Sequence, residues 1–126
     1  MNERIFQNSI LDRQLKENLA DAALSILINN KFLEMKKNNL KNIKVEFAYL
    51  FLDFDGNPSA LLKIITPKKI FKPEKIYYFG TQDGKLLLLN EKFTEETFLE
   101  TKRGMFARHN VNAALEDPNS YKMELH

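Results

Sequence analysis

The chain has 126 residues, 44% of them hydrophobic, no cysteine, and a formal net charge of +2. That length fits one globular domain spanning residues 1–126, able to bury a core without metal or disulfide. The missing cysteines exclude a disulfide scaffold, a thiolate metal site and a cysteine nucleophile. The mild charge does not by itself argue for nucleic-acid binding.

The first segment is helical. Leu11, Leu15, Leu19, Ala22, Ala23, Ile26 and Leu27 recur at spacings of three and four and draw one apolar stripe. Asn8 or Ser9 caps its start and Asp12 suits the first turn. Asn29-Asn30 is one place for it to end or bend, and Phe32, Leu33 and Met35 would carry it on to about Lys37, before Asn38-Asn39. From Ile43 the apolar period changes to two, with Ile43, Val45, Phe47, Tyr49 and Phe51 on one face of a strand. Ala48, Leu50 and Leu52 make the second half apolar on both faces. Asp55-Gly56-Asn57-Pro58 is turn chemistry, and residues 59–66 form the returning strand.

A second hairpin follows, with strands over 75–79 and 85–89 and residues 80–84 between them. Leu86 to Leu89 is a continuous apolar run, as in a central strand. The last element is a helix. Phe93 before the cap Thr94, with Phe98 four residues after it, makes a hydrophobic staple, and Glu95 and Glu96 favour the helix start. Gly104 weakens or kinks this helix, which resumes over 111–115 and stops before Pro118. The predicted class is therefore α+β: an antiparallel sheet of two hairpins, about four strands, between a long N-terminal and a C-terminal helix, in the order α-β-β-β-β-α, both helices on one face. The aromatics left for the uncovered face predict a homo-oligomer.

Leu52-Asp53-Phe54-Asp55-Gly56-Asn57 resembles the first motif of haloacid-dehalogenase-type phosphatases, which implies a nucleophilic and an acid–base aspartate with magnesium. The resemblance is confined to these residues. Asn57 stands where that family has threonine, and no acidic pair follows to complete the metal site, so a hairpin turn is the reading adopted. The same aspartates do not make a calcium loop, because the glycine is misplaced and no closing glutamate follows. No metal and no cofactor are expected. The hairpin at 75–93 is similar to the central hairpin of the bacterial HigB/RelE ribonuclease toxins over less than a fifth of the chain. That similarity implies phosphodiester binding and cleavage by Arg103, Arg108 and His109, which the extra strand and the long first helix count against.

Lys68, Lys72, Lys102, Arg103, Arg108 and His109 form the basic set suited to an anion or a nucleic acid. A solvated charged surface is the competing reading of the same residues. No serine elbow and no glycine-rich phosphate loop occurs in the sequence. The class expected is thus a non-catalytic accessory protein that binds a macromolecular partner, as an inhibitor, immunity or regulatory protein does. A nucleic-acid- or nucleotide-binding protein, including a small ribonuclease, is the alternative, and a cystatin-like ligand cavity the third reading. Lysine- and asparagine-rich usage points to an AT-rich bacterial or phage source. The start lacks a secretory pattern and no apolar run could span a bilayer, so a cytoplasmic protein without membrane contact is expected.

Overall fold

The computed structural model describes residues 9–33, 42–67, 74–90, 92–104 and 122–125. Helix α1 (Ser9–Asn29) is followed by strands β1 (Lys44–Leu52), β2 (Pro58–Thr66), β3 (Lys75–Gln82) and β4 (Lys85–Leu88). Helix α2 (Glu95–Lys102) and a short strand β5 (Lys122–Glu124) complete the order. The α+β class and the order α-β-β-β-β-α are as the sequence predicts. The fifth strand is an addition, pairing antiparallel with β4 to give one open sheet in the order β1-β2-β3-β4-β5.

Strand alternation decides what covers the sheet. Ala60, Leu62, Ile64, Tyr77, Phe79, Leu86 and Leu88 project to one face, where Leu19, Ala23, Ile26 and Leu27 of α1 close over them. Leu61, Leu87 and Leu89 project to the other face, against Phe93 and Phe98. The two helices therefore lie on opposite faces, not on one as the sequence reading had it. The apolar runs of β2 and β4 require this, since both their faces need a cover. Of the aromatic surplus that leads to the homo-oligomer expectation, Phe51 and Phe54 remain exposed, and Phe71 and Tyr121 lie outside the described residues.

The β1 pattern is also revised. Phe47 pairs with Leu62, but the next partner, Leu61, faces Tyr49, so Ala48 is the extra residue of a β-bulge. The bulge reverses the alternation. Val45 and Phe47 stay on the α1 face, while Tyr49 and Phe51 move to the α2 face, their rings stacked at 5.6 Å.

Three ends differ from expectation for local reasons. Helix α1 stops at Asn29 and does not run on towards Lys37. Lys31 takes φ +63°, its N–H donates to the Ile28 carbonyl and that of Phe32 to Leu27, a Schellman termination. The β3–β4 turn is shorter than the sequence reading allowed. It is the dipeptide Asp83-Gly84, with φ of +51° and +74°, as a two-residue hairpin requires. Helix α2 ends before Gly104, and the predicted resumption over 111–115 lies outside the described residues. Gly104 lies two residues past the helix, at φ +81°, with its N–H on the Thr101 carbonyl. The start of α2 is as expected: Thr94 accepts from the Thr97 N–H, and Phe93 and Phe98 both pack on the Tyr78 ring, at 5.2 and 5.7 Å.

Candidate functional site

Two features stand out on this frame: an ionic cluster beneath α2 and an apolar projection at the β1–β2 turn. The cluster begins with Lys63, a charged residue in a strand whose neighbours Leu62 and Ile64 are fully buried. Its side chain points to the α2 face and is only 8% exposed. The ammonium lies 2.6 Å from Glu95 Oε1 and 3.8 Å from Glu46 Oε2, with the Phe98 ring 4.9 Å away. Glu46 sits on β1 directly opposite Lys63 and is bridged by Lys102 Nζ of α2 at 3.1 Å. The Tyr78 hydroxyl donates to the other carboxylate oxygen of Glu95. Strands β1, β2 and β3 and both ends of α2 are thus joined through five side chains.

The electrostatics follow from this geometry. Burial pushes the Glu95 carboxyl up, but the hydrogen bonds from Lys63 and Tyr78, with the charges of Lys63 and Lys102, outweigh it and hold the group below its usual range. Burial, then the hydrogen bond and charge of Glu95, drives the Tyr78 phenol far above its ordinary value. Tyr78 is consequently a hydrogen-bond donor and not an incipient phenolate. The lysine is committed to two carboxylates. Such an arrangement holds a helix on a sheet; it does not present a nucleophile or a base to a substrate. The sequence reading missed it, although a lone lysine inside the apolar stretch at 60–65 was a usable signal. In the sequence Glu95 shows only as a charge favourable to the helix start.

The sequence-predicted basic set is only partly placed. Lys102 is paired with Glu46, and Arg103 is exposed just past α2. Lys68, Lys72, Arg108 and His109 lie outside the described residues. Among the described residues no group of His, Asp and Glu is arranged to hold a metal ion. No described helix is long and apolar enough to cross a membrane.

At the other feature, Asp53 organises the turn. Its Oδ1 accepts from the N–H groups of Asp55 and Asn57, both at 2.9 Å. Its own N–H donates to the Asn57 carbonyl and its carbonyl accepts from Gly56, which has φ +80°. These four bonds fix a turn that holds the Phe54 side chain fully in solvent. Phe51 and Leu52, at the end of β1, are 46% and 54% exposed.

No protein-family model, no curated protein and no solved structure matches the chain.

Proposed function

We propose that the protein acts by binding a macromolecular partner, without chemistry of its own, in the manner of an inhibitor, immunity or regulatory protein. The observation that supports this most is Phe54, an aromatic side chain fully in water on a turn that its own hydrogen bonds keep from collapsing. Exposed aromatics next to other apolar groups are how binding surfaces differ from the rest of a protein exterior. The ionic cluster supports the same reading, since its members are spent on holding α2 in place. A bacterial or phage source and a cytoplasmic location belong to this proposal.

Affinity purification of the tagged chain from its source organism tests it. We expect one protein retained in stoichiometric amount, the complex persisting through gel filtration. Retention of nothing above background would defeat the proposal. Nucleic-acid binding through Arg103 and the basic residues beyond the described segments is the alternative, and it predicts a gel shift with RNA or DNA at low salt that weakens steeply as salt rises. Self-association is expected alongside partner binding. Light scattering tests it, and a clean monomer mass at high protein concentration would rule it out.

A further inference from the structure

The β1–β2 turn has the form of a wedge. Phe51 pairs with Ser59 and Leu52 with Pro58, so these neighbours leave opposite faces of the strand. Phe54 follows in the turn itself, its side chain fully in solvent. Apolar surface on both sides and at the tip suits insertion into a concavity better than docking on a flat surface. Among the described residues no strand pairs with the outer edge of β1, and that edge is a poorer place for a partner strand, because the bulge at Ala48 interrupts its ladder.

Charge narrows the choice of partner. Asp53 and Asp55 flank Phe54 and both are exposed. The β3–β4 turn adds the exposed Asp83 alongside: a methyl placed on Gly84 would lie 3.5 Å from Asn57 Oδ1, so the two turns touch. No lysine or arginine occurs between Lys44 and Lys63, in a chain that is otherwise rich in lysine. Two copies meeting wedge to wedge would bring like charges together, which disfavours a second copy as occupant. We infer that the wedge inserts into an apolar pocket rimmed by lysine or arginine on a different protein, with Phe54 as the anchor and Asp55 and Asp83 meeting the basic rim.

This rests on the partner-binding reading and names the surface and the partner's chemistry. The turn is already fixed by Asp53, so insertion freezes little of the backbone, which favours affinity.

The test places p-benzoylphenylalanine at position 54 of the full chain and, in separate chains, at the exposed positions 17 and 103. Each is irradiated in a lysate of the source organism. The protein captured from position 54 is then purified, and its affinity is measured for wild type, Phe54→Ser and the double variant Asp55→Asn/Asp83→Asn. Neither side chain of Phe54 nor Asp55 is buried, and asparagine tolerates the positive φ of residue 83, so these variants should fold. The expected result is a wild-type affinity that falls with salt, a loss of at least about tenfold for Phe54→Ser, and a loss with a flatter salt dependence for the double variant. Capture of a second copy of this chain alone overturns the inference, as does an affinity indifferent to the two aspartates. Capture from position 17 or 103 but not 54 overturns the wedge and leaves the partner-binding reading standing. Capture from no position defeats both.

Discussion

Removing Lys63 should harm the fold less than removing its partially exposed partner. Replace Glu95 with alanine, and an ammonium that is 8% exposed keeps only Glu46, at 3.8 Å. Breaking a fully buried pair from one side costs about 3–5 kcal/mol. Glu95 is 40% exposed and Glu46 remains, so the cost here belongs lower, at about 2–3 kcal/mol. Loss of an acid from the first turn of α2 adds about 0.3–1 kcal/mol. Replace Lys63 with methionine instead, and the buried charge disappears while an unbranched chain still fills the space against Phe98. Both carboxylates are open enough to hydrate, and Glu95 keeps the Tyr78 hydroxyl. The lost cation–π contact, about 0.5–2 kcal/mol, is offset by the ion's desolvation cost, leaving a net change of about 0–1 kcal/mol. Urea unfolding followed by circular dichroism reads both midpoints, and Lys63→Met/Glu95→Ala should lie nearer Lys63→Met than Glu95→Ala. If Lys63→Met proves the more damaging single substitution, burial of the ammonium is not the dominant cost and the reasoning fails.

Leu19→Ala and Phe98→Ala each delete a fully buried side chain, one on each face of the sheet, and each should cost about 2–5 kcal/mol by the same urea measurement. Because the Glu95 carboxyl is held below its ordinary value of 4.5, its contribution is present above that pH and is lost as pH falls through the folded value; urea midpoints taken down the acid limb should drop less for Glu95→Gln than for wild type. Asp53→Asn keeps an oxygen for the N–H groups of residues 55 and 57 and should leave stability unchanged, whereas Asp53→Ala should cost about 1 kcal/mol. Magnesium-dependent phosphatase turnover lost in Asp53→Asn would show instead that the aspartate is a nucleophile.

The element order was legible because each signal is local. The 3.6 period of α1, the Asp-Gly of the β3–β4 turn and the Phe93-Thr94 start of α2 act within a few residues. What went unread is tertiary. The bulge at Ala48 carries no glycine or proline to announce it, yet it transfers Tyr49 and Phe51 to the other face. Strand β5, three residues centred on Met123, is too short for an alternating pattern. The placement of the helices was recoverable, because Leu86 to Leu89 cannot be buried on both faces of a sheet that is covered on one.

Lys63 carries the same lesson to the ionic cluster. A charge inside a strand buried on both faces must find its counter-ion on whatever covers its face, and here the cover is α2. Apolar contacts such as Phe98 against Leu61 and Leu87 resist lifting the helix but hardly resist sliding it, since they have no direction. A buried ammonium with one near carboxylate and one far tolerates no such slide. The cluster should therefore contribute to a single position of α2 more than to stability. On that view Lys63→Met keeps its urea midpoint but broadens or doubles the amide resonances of residues 95–102 in heteronuclear NMR spectra, while those of α1 stay sharp. Spectra of Lys63→Met as sharp along α2 as wild type would show that packing alone fixes the helix, and the cluster would then have no specifying role.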